Sequence, residues 1–182
     1  MIVLGIDPGI DGGLAVMDGE TGQLLSLDDM PTVSIRVGKT ERDRVDTAQL
    51  AEIITGADPA HVVVEKVGGM PTDAAVWAFN FGLAAGLVEG VVTALSIPLT
   101  YVQPMAWRKA LGVTLPAGST SPQRKEASRQ RALQLFPAHA AKLARKCDHG
   151  RAEAALIASW GVRFAALGAS AVRPQAHPGA RS

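Results

Sequence analysis

The chain has 182 residues, of which 47% are hydrophobic and only 4% aromatic, with 18 Lys/Arg against 17 Asp/Glu and a single cysteine. That is one domain of ordinary size with a core of Val, Leu, Ile and Ala. The lone Cys147 excludes an internal disulfide and suits a reducing, cytoplasmic setting. The charges are segregated: residues 1–103 hold 5 Lys/Arg and 14 Asp/Glu, residues 104–182 hold 13 and 3. Such asymmetry points to a polyanionic partner for the second half.

The first stretch, IVLGID, is a short apolar run that ends on Asp7 and breaks at Pro8-Gly9. It reads as a buried strand, and it is too short and too poor in basic residues to be a signal peptide. Gly12-Gly13 turns the chain back into a second strand, Leu14 to Met17, and Gln23 to Leu27 reads as a third, giving an antiparallel meander. Residues 28–45 are polar and mixed in charge, and read as a mobile loop that is either inert or a DNA-facing flap. Asp46 or Thr47 caps a short helix ending near Gly56.

HVVVEKV then forms an uninterrupted strand ending in a second carboxylate, Glu65. The intervening helix implies a crossover, so this strand runs parallel to the first and brings Glu65 to the same sheet end as Asp7. A loop at Gly68 to Pro71 leads to a long helix capped by Thr72 or Asp73 and ending near Ala94. Its apolar length reads as a buried helix rather than a membrane span. Gly82, Gly86 and Gly90 share one face and suggest close approach to the sheet or to a symmetry-related helix. Trp77, Phe79 and Phe81 read as core or interface.

A fifth strand, Leu99 to Gln103, ends at Pro104, and a helical turn carries Trp107, Arg108 and Lys109. Ser121-Pro122 opens a basic helix with Arg124, Lys125, Arg129 and Arg131 mostly outward. A second basic helix, Ala138 to Arg145, carries Lys142, with Lys146 and Arg151 beyond it. These cations suit phosphate contacts that position nucleic acid without reading its sequence. The last helix starts at Asp148 or His149 and runs to about Leu167, and Glu153 falls on its buried stripe. The tail, residues 169–182, reads as disordered, which leaves 1–168 as the folded domain.

Three acids therefore converge. Asp7, Glu65 and Glu153, with Asp148 or His149, would repel one another unless hard cations such as Mg²⁺ or Mn²⁺ joined them. Two such ions can activate water and stabilise the leaving oxygen in phosphodiester cleavage. The four histidines are scattered, which argues against zinc.

GIDPG at the start, VVVEKV, and DHGRAEAALIA at the end resemble the RuvC-type Holliday junction resolvases of the RNase H-like superfamily. FNFGLAAGLVEGV, YVQPMAWRKALG and KEASRQRALQLFP resemble more closely their bacteriophage and prophage relatives. The first motif alone also opens sugar kinases and actin-like ATPases, whereas the ordered set, spanning residues 2–163, is specific. The resemblance implies an α/β, RNase H-like fold with a mixed five-stranded sheet flanked by helices. It implies a homodimeric, metal-dependent endonuclease that resolves four-way or other branched DNA, leaving a 5′-phosphate and a 3′-hydroxyl, with no small-molecule cofactor and no membrane partner. Asp7, Glu65 and Glu153 match the family's acids. The similarity favours Asp148 as the fourth ligand, and His149 would then handle the attacking water or leaving group. Position 150, where many relatives place a ligand three residues before the last acid, is glycine here. On an ideal helix His149 lies about 40° from Glu153 and Asp148 about 140° away. Flaps, forks or RNA–DNA hybrids are alternative substrates. An actin-like ATP-binding protein would need a second domain for which 182 residues leave no room, and a non-catalytic DNA-binding module would have no use for the acids.

Overall fold

The computed structural model describes residues 1–66, 68 and 74–164. The expected tail, Leu167, the glycine-rich loop from Gly69 to Pro71 and the caps Thr72 and Asp73 lie outside the described residues. Five strands form one sheet: β1 (Ile2–Asp7), β2 (Gly13–Asp18), β3 (Leu24–Asp29), β6 (His61–Glu65) and β7 (Leu99–Val102). Their order across the sheet is β3-β2-β1-β6-β7. β1 to β3 pair antiparallel, while β6 is parallel to β1 and β7 to β6. The expected mixed sheet is therefore present, with β1 at its centre.

Side chains alternate across β1. Leu4 and Ile6 pack with Val62 and Val64 against α1 (Thr47–Ala57) and α2 (Ala75–Ala94). Val3 and Val63 point to the opposite face, where α3 (Pro104–Ala110), α4 (Ser121–Leu135) and α5 (His149–Phe164) bury Trp107, Ala132 and the Ala152–Ala158 segment. The same alternation puts Gly5, Asp7 and Glu65 on the α5 side. α5 lies close because most of its buried residues are small, alanine, glycine or serine. A Cβ on Gly5 would lie 2.3 Å from the Ala158 backbone nitrogen, so glycine is required there.

The local caps follow sequence rules in part. Asp46 accepts hydrogen bonds from the Ala48 and Gln49 amides at the start of α1, a cap worth about 1 kcal/mol. At α4 the Thr120–Gln123 capping box does the same.

Four expectations need correction. Residues 28–45 are not a loop: beyond the end of β3 they form a separate hairpin, β4 (Thr32–Val37) and β5 (Thr40–Val45). Val33, Ile35 and Val37 alternate with polar residues around a Gly38-Lys39 turn, and Gly38 has φ of +64°, the left-handed region glycine tolerates. α2 is not a buried helix. It is long and apolar enough by length and composition to cross a membrane. It lies on the sheet through one row, Ala84, Val88 and Val92. Gly82, Gly86 and Gly90 face open space where a Cβ would stand, so they do not serve approach to the sheet. Finally, the segment from Ala138 belongs to a 3-10 stretch, Pro137–Leu143, because Pro137 and the short Phe136–Leu143 span favour the tighter turn.

Candidate active site

The C-terminal ends of β1 and β6 deliver Asp7 and Glu65 side by side, since the parallel register pairs Ile6 with Val64 one step earlier. α5 crosses the same face and brings Glu153 and His149 over them. These four residues, with Asp11, Asn80, Trp77, Phe81 and Lys125, line a cavity of about 460 Å³. Trp77 and Phe81 stack with ring centroids 4.9 Å apart on its α2 wall, and Trp77 is exposed, so the two rings are not core residues.

Each acid is held. Trp107 donates its indole N–H to Glu65 Oε1 at 2.9 Å. Ser128 Oγ donates to Glu153 Oε1 at 2.9 Å, and Arg108 Nη2 donates to the same oxygen at 3.1 Å. Arg108 Nη2 also lies 3.9 Å from Glu65 Oε1, and its guanidinium covers the Trp107 ring at 4.7 Å. Asp7 keeps one weak backbone contact, from the Gly9 amide at 3.5 Å.

The electrostatics follow from this crowding. Burial, then the charges of Glu153 and Glu65, push the Asp7 carboxyl well above its ordinary range. Burial and Glu153 push Glu65 up to about 7, against the opposing pull of Trp107 and Arg108. Burial and the nearby Lys125 lower the His149 imidazole below its usual value, which keeps it neutral at neutral pH. Lys125 Nζ lies 3.2 Å from His149 Nε2. An ammonium has only donors, so Nε2 accepts and the proton sits on Nδ1, which is buried and unpartnered among the described residues.

Asp148 is not in this cavity. It is 1% exposed and lines a different cleft with Asp11, Asp29 and Arg145. The Arg145 amide donates to its Oδ2 at 2.8 Å, Arg145 Nε to its Oδ1 at 3.0 Å, and Arg151 Nη2 pairs with the same oxygen. Burial would raise this carboxyl, but those bonds outweigh it and hold it at about 2. Arg151 also reaches Asp29 of β3 at 3.3 Å, so Asp148 helps fasten the start of α5 to the sheet edge. Position 150 has its own explanation. A Cβ on Gly150 would lie 2.0 Å from the Asp11 carbonyl oxygen, which leaves no room for an acid there.

The expected phosphate contacts divide. Lys109, Arg124, Arg145 and Lys146 are exposed. Lys142 is half-exposed but reaches the Leu27 carbonyl and Asp28. Lys125 lines the cavity, and Arg108 is paired with Glu153. Arg129 is not outward: it is 8% exposed and donates to the Leu143 and Ala144 carbonyls and to Glu126. With Arg151 it is a strut rather than a surface cation. Trp107 and Ser128, which orient two of the acids, carry no local sequence signal of that role.

With the side chains as they stand, no three Asp, Glu, His or Cys residues among those described surround a single point as metal donors do. The donor chemistry nevertheless suits a hard divalent cation. Three carboxylates line one cavity, two of them are raised by burial and mutual repulsion, and Arg108 supplies only part of the missing positive charge.

No family model matches the chain, and no curated protein matches it. Solved structures do. RuvC of Thermus thermophilus in complex with a Holliday junction substrate is 21% identical with a TM-score of 0.58, over 92% of this chain and 96% of that one. A second T. thermophilus RuvC structure is 20% identical with a TM-score of 0.53, over 92% and 97%. The yeast mitochondrial Holliday junction resolvase Ydc2 is 16% identical with a TM-score of 0.51, over 90% and 78%. The chain shares the fold of these structures, a mixed five-stranded sheet flanked by helices.

Proposed function

We propose that the protein is a divalent-metal-dependent endonuclease that cuts four-way DNA junctions. The observation that carries this reading is the convergence of Asp7, Glu65 and Glu153 in one cavity, on a fold shared with RuvC. Asp7, Glu65 and Glu153 would hold two Mg²⁺ or Mn²⁺ ions, which when bound supply an activated water and a counter-charge for the leaving oxygen. Trp107 and Ser128 fix the rotamers of Glu65 and Glu153, so the oxygens need not reorganise when substrate enters. Lys125 stands on the cavity wall and is suited to neutralise a non-bridging oxygen of the phosphate. Once Lys125 turns to that phosphate, neutral His149 is free to accept a proton at Nε2. Asp148 is assigned to structure, not to the site, in view of its two arginine partners.

A homodimer is part of the proposal. The open row of Gly82, Gly86 and Gly90 and the exposed Val76 leave α2 with an outer side that a second copy could cover, and a junction cut symmetrically twice calls for two-fold symmetry. The test is cleavage of synthetic four-way junction, flap, fork and RNA–DNA hybrid side by side with Mg²⁺. Preferential, paired nicking of the junction is expected. Faster cutting of a flap or hybrid would transfer the same chemistry to that substrate.

A further inference from the structure

The β4–β5 hairpin stands apart from the main sheet as a two-stranded ribbon. Residues 1–103 contain five cations, and four of them, Arg36, Lys39, Arg42 and Arg44, are on this ribbon. None of the four makes an ion pair among the described residues. The register sets Ile35 opposite Arg42 and Val33 opposite Arg44, so two arginines and an apolar row share one face. That face meets α2 across a crevice of about 170 Å³, lined by Ile35, Val37, Arg42 and Arg44 on one side and Phe79 and Leu83 on the other. Ile10, Asn80 and Ala84 line both this crevice and the acid cavity, so the two adjoin.

We infer that the hairpin is a DNA-gripping arm: the crevice face, through Arg42 and Arg44, holds the phosphate backbone of the strand whose next phosphodiester lies in the acid cavity. The inference rests on the nuclease reading above. An acid cavity repels a polyanion, so the strand must be held by cations on either side of it. Lys125 and Arg124 stand on the α4 side, and on the other side the hairpin supplies the charge. Arginine beside exposed Phe79 and Val37 also suits a nucleotide, whose phosphate and base face demand a cation and an apolar surface together. A purely apolar partner would leave the two arginines with no counter-charge but Asp43, which also lines the crevice.

The experiment measures binding of the full chain to a labelled four-way junction, without divalent ions, across a salt series. For Arg42→Gln/Arg44→Gln, affinity should fall roughly tenfold and the slope of log affinity against log salt should shrink by about 2, as for two lost phosphate contacts. Arg36→Gln, on the opposite ribbon face, should change the slope by less than half as much. Val37→p-benzoylphenylalanine, a second readout that leaves both arginines in place, should crosslink to a junction strand on irradiation. If the wild type binds and cuts the junction while the double variant keeps the wild-type slope and affinity, or Val37→p-benzoylphenylalanine gives no crosslink, the arm is refuted and the nuclease reading stands. If the wild type binds no DNA, both fall together.

Discussion

Arg108 Nη2 lies 3.1 Å from Glu153 Oε1 and 3.9 Å from Glu65 Oε1, so a single guanidinium spans the two acids that approach from α5 and β6. Without it, the two carboxylates would lose the one guanidinium that faces them both. On the proposed reading the guanidinium is a partial substitute for a divalent ion, and the two would compete for the same oxygens.

Removing that substitute should expose the competition. Arg108→Gln is expected to lower the stability of the metal-free protein by about 1–3 kcal/mol, the cost of leaving a buried acceptor short of its partner. Added Mn²⁺ should recover more stability in the variant than in the wild type. Thermal melts with and without Mn²⁺ check this, and equal recovery in both proteins would contradict it.

The raised carboxyl of Glu65 sets a pH dependence. Its folded value, about 7, lies above its ordinary one, so the folded state holds the proton more tightly than the unfolded chain does. The resulting stabilisation is fully present below about 4.5 and is lost as pH rises through about 7. Metal-free protein should therefore melt at lower temperature at about pH 8 than at about pH 5.5, and Glu65→Gln should flatten that part of the profile. A wild-type profile already flat across this range would show that Glu65 is ionised throughout.

Asp148 behaves in the opposite sense. Its depressed carboxyl, at about 2, contributes stability above its ordinary value near 3.8, lost only as pH falls toward 2. Asp148→Ala leaves Arg145 and Arg151 without their shared acceptor and should cost about 2–4 kcal/mol. At a temperature where the variant remains folded, the rate of junction cutting per folded molecule should stay within a few-fold of wild type. A complete loss of cutting with stability intact would return Asp148 to the reaction.

Gly150→Asp restores an acid at the position that lies three before Glu153. The backbone of Asp11 and Gly12 already fills the space, so overpacking should destabilise the protein by about 1–3 kcal/mol or more, with no gain in activity. Urea titration measures the loss. Wild-type stability would mean the hairpin after β1 gives way easily.

The strand ends bearing Asp7 and Glu65 were legible because an apolar run that stops on a carboxylate is a strong local pattern, and the intervening helix dictated parallel pairing. Glu153 was legible from helical periodicity. Asp148 was expected beside Glu153, and spacing alone does not reveal that Arg145 and Arg151 fold back on it. Trp107 and Ser128 were invisible as partners of Glu65 and Glu153 because those contacts bridge 42 and 25 residues of chain. The β4–β5 hairpin had a readable signal, Val33, Ile35 and Val37 alternating before a Gly38-Lys39 turn, masked by the mixed charges around it. α2 was misjudged because its composition is that of a core helix, while only one row of it meets the sheet.

The most direct test is cleavage of a synthetic four-way junction with Mg²⁺ by wild-type protein and by Asp7→Asn, mapped to the nucleotide on all four strands. Paired nicks at symmetric positions by the wild type, and junction binding without nicks by Asp7→Asn, are the expected result. Nicking by Asp7→Asn at the wild-type rate would contradict the assignment of the acid cavity as the catalytic centre.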